Sequence, residues 1–249
     1  MSYNKKMHLG RSFLVILLVV FCTTTTCLTA RSQELEEVDG ETYTDSPDVD
    51  YSERRGTVGS LVTFGYSWYT PSDYRPDFVT NQTFTEYYES AETPLMEFTY
   101  SLKLNVSFFS LSADIGAGYY SNQGRDQSTL TLTPVRLGST LSLDGVFSEP
   151  YFVPYVSVGA YSMFYKESVA SQSVSGRTTP AMYYAFGGRL QLDMLDGGAD
   201  FDSYVEHGIE NTFLFLEARS FGASKDAVPD VSSPADAPLQ LGGGLSIEF

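Results

Sequence analysis

Residues 238–249 read PLQLGGGLSIEF. Leu239, Leu241, Gly243, Leu245, Ile247 and Phe249 share one parity, and Gln240, Gly242, Gly244, Ser246 and Glu248 share the other. This is the two-residue period of a strand with one apolar face. The apolar parity continues to the last residue, an aromatic, and a strand lying against lipid can place such a ring at the membrane interface. A soluble domain has less use for an exposed terminal Phe249.

The same period recurs upstream. Residues 95–108 carry Met96, Phe98, Tyr100, Leu102, Leu104, Val106 and Phe108 against Glu97, Thr99, Ser101, Lys103, Asn105 and Ser107, an alternation that no helical stripe produces. Further strands are predicted over residues 57–69, 111–120, 128–143, 151–165, 181–194 and 209–220. In 128–143 the apolar parity changes from Leu130 and Leu132 to Val135, Leu137, Leu141 and Leu143, and Pro134 between the two sets predicts a bulge. Eight strands suit a closed antiparallel up-and-down barrel with both termini at one end. The connections agree: 71–94, 121–127, 166–180 and 221–237 are mostly long and polar, whereas those around 109–110 and 144–150 are short. The 195–208 connection is longer than a tight turn needs.

The start of the chain supports export. Lys5, Lys6 and Arg11 precede an apolar run, Phe13 to Phe21, and then a polar stretch ending at Ala30, which reads as a signal peptide over residues 1–30. The run is much shorter than the ~20 residues of a spanning helix. Cleavage after Ala30 removes Cys22 and Cys27, and with them thiol catalysis, disulfides and cysteine-ligated metals. It also removes three of the 15 basic residues and none of the 31 acidic ones, leaving a net charge of −19. Such a chain repels nucleic acid. Residues 31–56 are acidic and poor in core formers, and are expected to be a disordered periplasmic leader; the barrel is expected over residues 57–249. Only a β-barrel hides a membrane protein behind these averages, because alternation dilutes each apolar face.

Leu245, Ile247 and Phe249 resemble the C-terminal assembly signal of bacterial outer-membrane β-barrel proteins. Residues 57–249 as a whole resemble small barrels of the OmpX, OmpW and OmpA-domain type, and 188–220 is similar to the penultimate hairpin of proteins in that broad group. The resemblance implies an all-β, eight-stranded transmembrane barrel in the outer membrane of a Gram-negative envelope. It also implies contact with outer-membrane lipid and with the barrel assembly machinery. It leaves function open, since such folds host many roles.

The inward parity supplies the candidate site. Glu97, Lys103, Asp114, Arg136, Arg189, Asp193, Glu217, Arg219 and Glu248 are predicted to face a lumen only wide enough for side chains, where charges must pair or find water. Paired, they form a sealed polar core; spaced apart, they line a conducting path. Arg136 depends on where the bulge falls. No cofactor and no metal site is expected, because His207 is the single histidine left after the signal. A lipid-modifying enzyme would resemble a His-x-Ser pair, but the residue two after His207 is Ile209. The 71–94 connection holds Asp73, Asp77, Glu86, Glu89 and Glu92 with Tyr74, Phe78, Phe84, Tyr87 and Tyr88; these rings either anchor an extracellular partner or extend the first two strands above the membrane. The expected role is therefore a non-enzymatic outer-membrane barrel with a structural or surface-interaction role. The alternatives are a porin-like channel for small or hydrophobic solutes, a lipid-modifying enzyme, and a soluble barrel of the lipocalin type.

Overall fold

The computed structural model describes residues 51, 55–69, 71, 84–88, 93–124, 128–147, 149–192, 208–222 and 239–249. Nine strands, β1 (Val58–Tyr69), β2 (Thr93–Val106), β3 (Phe109–Gln123), β4 (Thr129–Ser142), β5 (Phe152–Val169), β6 (Gln172–Arg177), β7 (Ala181–Gln191), β8 (Asn211–Phe221) and β9 (Gln240–Glu248), and one short helix, α1 (Phe84–Tyr87), make up the described chain. All pairings are antiparallel. β1 pairs with both β2 and β9, and β4 pairs with β5, so the sheet closes on itself. β6 and β7 lie along the same edge of β5: Phe152 to Tyr161 pair with β7, and Phe164 to Val169 pair with β6. They are one barrel strand interrupted at residues 178–180, which gives an eight-stranded ring. Closure removes the open edges that an unsatisfied backbone would present to lipid.

The interruption is locally repaired. Thr178 donates its amide to the Met163 carbonyl and accepts from the Met163 amide through its hydroxyl, while Ser162 Oγ donates to the Thr178 carbonyl. Pro180 follows, a residue with no ladder donor to give. Residues 166–180 are thus not the polar loop expected of them. They continue β5 into a hairpin, turning at Ala170 with φ of 49°, a region usually left to glycine in such turns.

The bulge expected at Pro134 is absent. β4 pairs with β5 without a break from Thr129↔Ser168 to Ser142↔Tyr155, and its even residues from Leu130 to Arg136 all point inward. The change of apolar parity at Pro134 records a change in what the lumen contains. The short turn after β2 is Ser107–Phe108, with Val106 opposite Phe109, two residues earlier than expected.

Outward-facing side chains are apolar and exposed on every strand of the ring, among them Phe64, Met96, Ile115, Leu137, Val156, Phe186, Leu216 and Leu245. On β2 the outward row runs from Met96 to Val106, about 33 Å along the strand at ~3.3 Å per residue and about 25 Å along the axis at a tilt near 40°. That is the height of a bilayer's apolar band. Trp68, Tyr119 and Tyr184 stand exposed toward one end of this belt, and Phe108, Phe147 and Phe152 toward the other.

Candidate functional site

The polar residues are inside. At mid-height, Glu97 on β2 is held between two arginines: Arg136 on β4, at 3.1 Å, and Arg219 on β8, which also pairs with Glu217 two residues before it. Arg136 is thereby an inward residue, settled by the unbroken β4 register. Glu217 accepts a hydrogen bond from the Tyr155 hydroxyl at 3.1 Å. Arg189 lies 4.4 Å from the centre of the Tyr155 ring and donates to Ser142 Oγ. Asp114 accepts from Ser112 and Thr140 at 2.6 and 2.5 Å.

Lower down, Lys103 bridges Asp144, at 3.0 Å, and Glu248, which is fully buried. Two residues from the leader complete this layer. Tyr51 donates its amide to Glu149 at 2.8 Å and its hydroxyl to Glu248, and Arg55 pairs with Asp144 at 2.7 Å. Burial works against ionisation of Asp144, but the neighbouring Lys103 and the Ser110 hydroxyl, with Arg55, hold its carboxyl below the usual carboxylate range. Burial and the charge of Glu248 push the Tyr51 phenol far above its ordinary value, so it stays a neutral donor.

Of the nine predicted lumen residues, the structure brings Glu97, Arg136, Glu217 and Arg219 into one cluster and Lys103 and Glu248 into a second. Asp114 and Arg189 are held by hydroxyls and a ring between them, and Asp193 lies outside the described residues. Sequence reasoning missed Asp144 and Glu167, although each continues the inward parity of its strand past the point where the apolar signal stops. Nothing periodic marks Tyr51 or Arg55.

The upper third of the lumen is apolar. Tyr69, Leu95, Tyr120, Leu130, Leu132, Tyr161, Met163 and Tyr183 enclose Phe84, Tyr87 and Tyr88 from α1 and the residue after it. Phe84 and Tyr88 stack at 4.9 Å. Tyr88 also reaches Glu167 at 3.0 Å, and burial beside that carboxylate raises its pKa. Three of the five aromatics of the 71–94 connection are therefore used as filling; Tyr74 and Phe78, like His207, lie outside the described residues.

Rings fit in this narrow lumen because glycines face them. A Cβ on Gly138 would lie 2.2 Å from the Tyr183 hydroxyl, and one on Gly65 would lie 2.7 Å from the Phe215 ring, an alternation of small and large residues that fills a small barrel. Among the charges lies a cavity of about 60 Å³ bordered by Glu97, Asp114, Arg136 and Glu217, room for roughly four waters at ~15 Å³ each, and a second of about 200 Å³ lies at the base beside Tyr51, Arg55 and Asn105. Among the described residues, no group of three or more His, Cys, Asp or Glu is placed to hold a metal ion.

The described residues form a closed eight-strand antiparallel barrel. No protein-family model matches the sequence, and no curated protein does. Solved structures similar to it include the N-terminal β-barrel domain of Pseudomonas aeruginosa OprF, at 12% identity over 78% of this chain and 98% of that one, with a TM-score of 0.38. The attachment invasion locus protein Ail of Yersinia pestis, solved with the heparin analogue sucrose octasulfate, shows 11% identity over 78% and 100%, with a TM-score of 0.44. Neisserial surface protein A shows 6% identity over 78% and 98%, with a TM-score of 0.41. At such identities none of their properties passes to this chain.

Proposed function

We propose that this protein is a non-enzymatic β-barrel of the bacterial outer membrane, acting through its fold and the segments it holds outside the bilayer rather than through its lumen. The observation that carries this reading is the inversion of the barrel: an apolar, exposed outer wall around the whole ring encloses charged side chains that pair with one another. In water such a surface would associate; in lipid it is the stable arrangement. In this reading the base carrying Glu248 faces the periplasm and α1 faces outward. The filled lumen argues against a porin-like channel, and the acidic 71–94 connection and its neighbours would meet an extracellular partner.

Export through residues 1–30 and recognition of Leu245, Ile247 and Phe249 by the assembly machinery belong to the same proposal. Leu245 is exposed to the lipid side, and Phe249 exchanges two backbone hydrogen bonds with Ser60 at 2.8 Å, at the seam that closes the ring. The test is fractionation followed by electrophoresis with and without boiling. Recovery in the outer membrane with a heat-dependent shift supports the reading, and a soluble protein with no shift refutes it. Deleting Phe249 is expected to lower the inserted fraction sharply.

A further inference from the structure

The base of the barrel is assembled partly from outside the barrel. Four carboxylates gather there from different elements: Asp144 and Glu149 beyond β4, Glu210 just before β8, and Glu248 on β9. Asp144, Glu210 and Glu248 are almost fully buried. Among the described residues, the ion pairs set two cations against them, Lys103 from the wall and Arg55 from the leader. Arg189 is turned to the Tyr155 ring and Ser142. Arg55 brings more than charge: its guanidinium also donates to Asn105 Oδ1 and to the Phe109 carbonyl at 3.1 and 3.3 Å. Its amide donates to the Tyr51 carbonyl, and its guanidinium lies 5.6 Å from the Tyr51 ring. Tyr51 itself is 1% exposed. Tyr51 and Arg55, neither of them in a strand, thus bring a ring and a guanidinium to the base.

We infer that the carboxylate-lined base is a docking site whose occupants are this chain's own Tyr51 and Arg55, seated as a plug rather than built in as wall. The chemistry that recognises it is specific. Asp144 takes a second cation, which Arg55 supplies through one guanidinium nitrogen, and Glu248 and Glu149 take neutral donors, which the Tyr51 hydroxyl and amide supply. Without the plug, Lys103 would be the one cation among the described residues paired with Asp144 and Glu248, and like charges would crowd a partly desolvated floor. Seating the plug therefore adds a second cation to a floor of four carboxylates. This holds whatever the barrel does in the membrane.

The test uses the full chain folded in detergent micelles and digested with trypsin, with fragments beginning at Gly56 followed by mass. In the wild type, cleavage after Arg55 is expected to be slow, because the side chain trypsin must bind is buried. Tyr51→Ala is expected to speed it about tenfold or more, by favouring local opening, with the unboiled mobility of the barrel unchanged. Asp144→Asn should act the same way from the wall side. A labelled peptide of residues 45–56 should then bind the Tyr51→Ala chain and not the wild type, and the same peptide carrying Arg55→Gln should bind neither. Wild-type cleavage after Arg55 as fast as in the boiled chain would overturn the proposal. So would a folded Tyr51→Ala chain that is cleaved no faster than wild type, or one that fails to take up the peptide.

Discussion

The two ends of one lumen are filled by opposite chemistry. Below, Glu97, Arg136, Arg219, Lys103, Asp144 and Glu248 are buried as charges and held by ion pairs. Above, Leu130, Leu132, Tyr120, Met163 and the rings of Phe84 and Tyr88 are buried as oil. The backbone is the same on both sides of the change, and on β4 the inward row passes from Leu130 and Leu132 through Pro134 to Arg136 with no shift of register. The difference teaches that an eight-stranded barrel imposes filling rather than polarity. The two solutions fail differently when one piece is removed: a buried charge is left short of a partner, whereas an apolar gap costs only transfer and contact energy.

The comparison breaks most sharply at Glu97. Glu97→Ala leaves Arg136 and Arg219 buried without their shared carboxylate, and is expected to cost about 3–5 kcal/mol, read as an earlier urea midpoint for loss of the heat-modifiable band. Leu132→Ala in the upper third should cost somewhat less, about 2–4 kcal/mol, and its effect should not depend on pH. Equal and equally pH-insensitive losses at the two sites would erase the distinction.

Acid sharpens the comparison further. The folded-state pKa of Asp144 is depressed, so its stabilising contribution is complete above the unfolded value near 3.9 and is lost as pH falls through the lower, folded one. Stability at the base should therefore drop on acidification below about pH 4. Asp144→Asn should be less stable at neutral pH and should flatten that part of the curve, which stability measured against pH will show. The smallest effect is expected outside both regions. Ala170→Gly relieves a positive φ in the β5–β6 turn and should stabilise the hairpin by up to about 1 kcal/mol; a loss there would mean the turn is held by something other than its backbone.

Much of the barrel was legible because each strand faces two solvents. Outward parity has to be apolar wherever it meets lipid, so Met96 to Val106 and Leu241 to Phe249 announce themselves. The inward charges follow by parity, which is how Glu97, Lys103, Glu217 and Arg219 could be placed on one side of the wall. Legibility ends where the lumen stops being polar: Leu130 and Leu132 look like outward residues by composition, and only pairing with β5 turns them inward. It ends again where a segment is fixed by tertiary contact alone. Phe84 and Tyr88 read as loop aromatics, and Tyr51 and Arg55 as members of an acidic leader, because neither period nor composition records that a barrel end needs a stopper. The β6–β7 strand was divided into loop and strand for a related reason, since Pro180 and the threonines before it interrupt the pattern without interrupting the wall.

The central claim is that the lumen is sealed by ion pairs below and by aromatic filling above. The most direct measurement is single-channel current across a planar bilayer containing the folded, heat-modifiable protein. The account predicts the current of the bare bilayer for the wild type, at voltages the bilayer tolerates. Stable, ohmic steps from the wild-type protein would contradict it, because the described lumen is filled by paired charges below and by packed rings above.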